Sequence, residues 1–105
     1  MGYAVFGAKS VQQLQKHIRV AARQTEVIVI LPHAKARMKT RKVTVNEVFE
    51  VLQHGVIHMT PEPNMAKGTL ECRMQRYIAG RECAAVVALD DDNPQLLVVT
   101  VMLCR

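Results

Sequence analysis

Aromatic side chains are nearly missing from this chain: Tyr3, Phe6, Phe49 and Tyr77 are the complete set, and tryptophan is absent. A single-strand nucleic-acid binder built on stacking platforms needs several exposed rings, so that class is disfavoured and the core has to be aliphatic. Cysteine is equally sparse. Cys72, Cys83 and Cys104 are odd in number, far apart and set in apolar runs without C-x-x-C spacing. That pattern speaks against a zinc centre or a disulfide framework and for buried thiols in a reducing cytosol. The four histidines lack ligand spacing as well, so neither a metal nor another cofactor is expected. No apolar stretch reaches the roughly 18 residues of a membrane span, and the N-terminus lacks the charged and apolar regions of a signal peptide. A cytoplasmic location is expected.

What is present describes one soluble domain over residues 1–105. Half of the residues are hydrophobic and the mean hydropathy is +0.05, enough for one modest core and too little chain for two. The net charge of +5 and pI near 9.5 suit a polyanionic partner. Five of the fourteen lysines and arginines fall between His33 and Lys42, read as HAKARMKTRK, with no carboxylate among them. On a helix, His33, Arg37 and Arg41 recur every fourth residue and lie within roughly 80° of one another. Like charges at that spacing oppose helix formation, so the stripe points to an anionic partner. Phosphate fits best: two guanidinium forks can clamp it and a histidine can move a proton beside it.

Local signals set the elements around this stripe. Ser10 can cap a helix running to about Arg23, with Val11, Leu14, Ile18 and Ala21 on its apolar face. Glu26 to Leu31 is a β-branched apolar run that reads as a buried strand, and Pro32 suits the first position of the basic helix. Thr44 and Glu47 form a capping box for a helix to about His54, stopped by Gly55. Val56 to Met59 is a brief strand, and Pro61, Pro63, Asn64 and Gly68 mark a surface loop. Residues 69–78 alternate as a strand, and Ala79-Gly80-Arg81 is a turn. Residues 83–89 and 96–103 are apolar on both faces and read as mid-sheet strands buried on both sides, joined by the polar hairpin loop of residues 90–94. The expected fold is α+β, with N-terminal helices on one face of a four- to five-stranded, mainly antiparallel sheet that ends in a β-meander.

Strand parity sorts two further arginines. Arg73 shares a face with Glu71, Gln75 and Tyr77, which makes that face the polar, ligand-competent one; Arg76 interrupts the apolar face and should lie near the strand end and snorkel outward. Thr100, from residue type alone, is ordinary strand core.

The string HAKARMKTRKVTVNEVFEVLQHGVI resembles the signature of a small bacterial family of unknown function: HAxxRMxxR, a short link with Ser or Thr, a capped helix ending in Gly, and a strand. The closing LLVVTV is similar to that family's last strand, so the likeness spans about residues 25–103 and leaves 1–24 as an N-terminal extension with a helix. Lys42 stands where the family often has Gly. The resemblance extends to the RelE-like fold shared with barnase, EndoU-type nucleases and colicin ribonucleases, and it implies a metal-independent endoribonuclease or toxin-type domain acting on RNA. In such a reaction His33 would carry a proton while Arg37 and Arg41 hold the phosphate. Arg73, Tyr77 and Lys42 would add RNA contacts, and Thr100 becomes a site-floor residue. RNA and, for a toxin-type domain, an antitoxin protein are the partners implied.

Other readings of the same residues stay open. In one, the arginines pair with carboxylates such as Glu47 or Glu71 as surface ion pairs worth little. In a second, the stripe serves a non-catalytic nucleic-acid or protein-binding module. In a third, residues 1–7 or a sheet edge make a homodimer.

Overall fold

The structure, a computed structural model, describes residues 2–104. Among them the chain order is α1 (Ala4–Gly7), α2 (Val11–Ala21), β1 (Ile28–Ile30), α3 (Pro32–Arg41), α4 (Val45–His54), β2 (Val56–Ile57), β3 (Glu62–Asn64), β4 (Thr69–Ile78), β5 (Arg81–Asp90) and β6 (Asn93–Cys104). The fold is the expected α+β arrangement, but the sheet has six strands rather than four or five. Its order is β1-β6-β5-β4-β2, with β3 also on the outer edge of β4. Strands β4, β5 and β6 form the antiparallel meander, and β1 joins β6 in parallel.

The helix starts follow from their caps. Ser10 and Gln13 close a capping box at α2, and Thr44 and Glu47 close another at α4; each satisfies two backbone groups that the first turn would otherwise strand. Helix α3 has no side-chain cap and begins instead with Pro32, whose fixed φ and missing N–H suit that position. Where β4 turns into β5, Ala79 and Gly80 both take positive φ, 50° and 85°, the two-residue geometry that matches the twist of a hairpin.

Three sequence expectations need correction. The run Glu26–Leu31 is not a buried strand: residues 25–27 form a single 3-10 turn, and only Ile28–Ile30 pair, half-buried, at the sheet edge. An edge strand has one neighbour, so a short apolar run suffices there. The proline-rich segment after Met59 holds β3, which pairs Glu62–Asn64 with Thr69–Glu71; Pro63 is tolerated because the strand lies at an edge. Strand β6 is not buried on both sides either. Leu96, Val98 and Val101 face the core, whereas Leu97, Val99, Thr100 and Met102 are half-exposed.

The reason is that the helices cover one face only. Helix α3 lies against β6, α4 lies across β4 and β5, and α2 packs on α4 and β2. Between them and the sheet sits one aliphatic core in which Ile18, Leu52, Met74, Leu89 and Leu96 are fully buried. Cutting one such side chain to alanine costs about 2–5 kcal/mol. Cys72 and Cys83 are buried inside this core.

The acidic turn at residues 90–92 has a role that its polarity did not announce. The Asp91 carboxylate accepts from the amides of Val5 and Phe6 at 2.8 and 3.1 Å, and Asp90 accepts from those of Gly2 and Asp92. The N-terminal segment from Gly2 is thereby pinned to the β5–β6 hairpin; Met1 lies outside the described residues.

Candidate functional site

Helix α3 buries a narrow stripe. Only Ala34 and Met38, one turn apart, enter the core, while His33, Lys35, Arg37, Lys39, Arg41 and Lys42 are exposed. The helix is therefore a rod of positive charge packed on β6 through Ala34 and Met38. Among the described residues, none of the side chains of His33, Arg37 and Arg41 makes a hydrogen bond or an ion pair. The carboxylates that could have neutralised the arginines are taken: Glu47 pairs with Arg81 at 3.1 Å, and Glu71 accepts from Asn64 at 3.1 Å. The surface ion-pair reading of Arg37 and Arg41 fails on this geometry.

The C-terminal end of α3 is held by a residue that pattern reading passed over. Arg81 donates to the carbonyls of Arg41 and Lys42 at 3.1 and 2.6 Å and to both oxygens of Glu47. One guanidinium thus closes α3, supports the cap of α4 and fastens both to the start of β5. Glu47 is held below the usual carboxylate range, first by the amide of Thr44 and further by Arg81. Lys42 follows the last turn in the left-handed region, φ 55° and ψ 47°, which explains why glycine suits that place in the signature.

Arg73, Tyr77 and Thr100 all lie on the face of the sheet that no helix covers among the described residues, the first two as parity requires and Thr100 through the register shift in β6. Arg73 pairs with Val86, and Val86 with Thr100, so Arg73 and Thr100 flank Val86 two strands apart, about 10 Å. A hollow of about 180 Å³ opens beside them, lined by Met59, Thr60, Glu62, Glu71, Arg73, Val86 and Met102. Arg73 donates to the Met59 sulfur at 3.4 Å. Thr100 does not belong to the core; it is half-exposed on this face. Tyr77 stands two pleats beyond Arg73, roughly 13 Å along the strand, and lines a different hollow with Arg19, His54, His58 and Arg76. The predicted set therefore divides into the α3 stripe, the Arg73–Thr100 row on the open face, and Tyr77 at the far edge. Strand β6 carries the first two on opposite faces, with α3 against its core side and Thr100 on the open one.

Arg76 behaves as its parity suggests: it reaches out from the strand end to Glu50 at 3.0 Å and to the carbonyl of His54. His17, which lacked a partner in sequence, packs on Phe6 with ring centroids 4.9 Å apart, and burial followed by the charge of Lys9 lowers its pKa. Among the described residues no three His, Cys, Asp or Glu side chains gather as metal ligands would. Nor, among the described residues, is any helix long and apolar enough to cross a membrane.

No curated protein and no solved structure gives a match to the chain. A family model does match, over residues 30–103, and that stretch runs from the end of β1 through α3, α4 and the whole meander. By that match the chain belongs to the family described as a domain of unknown function, DUF4258.

Proposed function

We propose that this chain is a RelE-like domain that binds RNA through α3 and cleaves it without a metal. The observation that carries the reading is the stripe itself: His33, Arg37 and Arg41 stand in solvent on one helix flank, with no internal partner among the described residues and no carboxylate on the helix. Exposed like charges that do nothing for the fold are what a phosphate backbone requires of its ligand. The packing of the helices on one face of a mainly antiparallel sheet supports the same reading, since it is the arrangement that the RelE-like resemblance implies.

In the reaction the ribose 2′-oxygen attacks the adjacent phosphorus, the bond to the 5′-oxygen breaks, and a 2′,3′-cyclic phosphate and a 5′-hydroxyl are left. One proton leaves the 2′-oxygen and one is delivered to the 5′-oxygen; His33 carries one of them. Arg37 and Arg41 hold the charge that builds on the phosphate oxygens.

A second reading, binding without cleavage, draws on one observation. The His33 ring has no hydrogen-bonding neighbour among the described residues to fix its orientation, and proton carriers are ordinarily oriented by one. Incubation of the purified chain with end-labelled RNA in a chelator separates the two. The catalytic reading expects cyclic-phosphate ends, reduced about 10²–10⁴-fold by His33→Ala while RNA binding persists. Binding without cleavage establishes the second reading, and absence of both overturns the two together.

A further inference from the structure

Strand β4 runs on past the start of β2. The pairing of the two ends at Val56 with Gln75, so among the described residues the outer edge of β4 at Arg76 and Tyr77 has no strand beside it and α4 turns away there at Gly55. The gap is a hollow of about 420 Å³, within the size range of small-molecule sites. Because the edge is open, side chains from opposite faces of β4 meet in it. Arg76 comes from the helix-covered face and Tyr77 from the other, and the lining also includes Arg19, His54, His58 and the carboxylate of Glu82.

Two arginines are fixed in this hollow. Arg19 donates through Nε to the carbonyl of Gly55 at 2.8 Å and through Nη2 to that of His54 at 3.0 Å. Arg76 donates through Nε to Glu50 at 3.0 Å and through Nη1 to the same His54 carbonyl at 3.3 Å. Sharing one oxygen keeps the two guanidiniums side by side. Each has five N–H donors and spends two, so three on each remain for another acceptor, and the anchoring means that little side-chain freedom is lost when one arrives. Beside them Tyr77 is 67 % exposed, one of only four aromatic residues in the chain. A large ring left in water next to paired cations is a stacking surface next to a phosphate clamp.

We propose that this hollow binds a nucleoside monophosphate unit, its phosphate on Arg19 and Arg76 and its base on the Tyr77 ring. The site is separate from the α3 stripe and stands whether or not α3 cleaves RNA. The unit can be a free mononucleotide or one nucleotide of an RNA strand. The second source has a route, because the last turn of α3 is held by Arg81 and the hollow opens at Tyr77, so both lie at the β4–β5 hairpin end of the sheet.

The test is a titration of the full chain, labelled with nitrogen-15 and followed by NMR, with uridine 5′-monophosphate, uridine, inorganic phosphate and a hexauridylate. Saturable shifts at Arg19, His58, Arg76 and Tyr77 are expected with the monophosphate, and weaker binding of both uridine and phosphate. Tyr77→Ala, at an exposed position that leaves the fold intact, should weaken the monophosphate at least about fivefold, and Arg76→Gln should weaken it as well. Tighter binding of the hexauridylate, with added shifts on α3, identifies an RNA strand as the source; equal affinity identifies the free nucleotide. Monophosphate shifts confined to α3, affinity equal to that of inorganic phosphate, or no response to Tyr77→Ala would each overturn the proposal.

Discussion

Lys42 sits in the left-handed region that a β-carbon makes costly, with φ 55°, and its own side chain is exposed. Exchange for glycine removes that strain, worth roughly 1–2 kcal/mol, and gives part of it back through the freer unfolded chain. Lys42→Gly is therefore expected to raise the unfolding free energy by about 0.5–1 kcal/mol in denaturant melts while removing one exposed charge. His17 sets a pH limb. Its folded pKa lies below the ordinary 6.5, first because the ring is half-buried against Phe6 and second because Lys9 is near. Folding then favours the neutral ring, so this contribution is complete above pH 6.5 and fades as pH falls through 6.5 toward the folded value. Melts between pH 7.5 and 5.5 should show the decline, and His17→Gln should flatten it. The residue types in the signature were legible because helical spacing and charge are written in the sequence. The partnership of His17 with Phe6 was not, since it depends on how α1 folds back. Cys72 illustrates the easier kind of reading: apolar neighbours on its strand foretold burial, and burial pushes its thiol up to about 12, which makes it a piece of core.

Three elements meet at Arg81, and the melting of the molecule should register it. Its guanidinium serves the last carbonyls of α3 and the carboxylate of Glu47. Arg81→Met leaves these acceptors to solvent and should cost about 2 kcal/mol. Glu47 adds an acid limb of known sign. Its carboxyl is held below the ordinary 4.5, mainly by the Thr44 amide and then by Arg81, so its contribution is complete above pH 4.5 and is lost as pH falls through the folded pKa. Glu47→Gln should be less stable than the parent at neutral pH and converge with it in acid. Gly55 was legible as a stop signal, but for a different reason from the one that operates. Its backbone is not left-handed; a β-carbon there would lie 2.3 Å from the Val51 carbonyl oxygen and 2.9 Å from that of Gln75. Gly55→Ala must push α4 off β4, and a loss of about 2 kcal/mol or more is expected. The capping boxes, the alternating β4 and the hairpins could all be read locally. Arg81 could not, because its acceptors lie some forty residues back in the chain, and β1 was overestimated because an apolar run does not say how many neighbours a strand will have.

At the scale of the molecule, five carboxylates are bound within the fold while the cations of α3 are left outside. Glu47, Glu50 and Glu71 are engaged by Arg81, Arg76 and Asn64, while Asp90 and Asp91 hold the N-terminal segment. What remains at the surface of α3 is uncompensated positive charge, and this is the physical content of the net +5 that composition alone could give only as a sum. The one-sided helix layer leaves Arg73 and Thr100 on the open face of the sheet, opposite the face that carries α3. Parity placed Arg73 there in advance. It could not place Thr100, because the shift in pairing between Val86 and Val87 resets the alternation of β6 and is invisible in sequence. The central claim, that α3 grips RNA phosphates, is tested most directly by the salt dependence of affinity for a single-stranded RNA in the parent and in the Arg37→Ala, Arg41→Ala double variant. Each lost phosphate contact lowers the slope of log affinity against log salt by about 0.7, so the double variant should bind more weakly at low salt with a slope shallower by about 1.4. An unchanged affinity and slope would contradict the account.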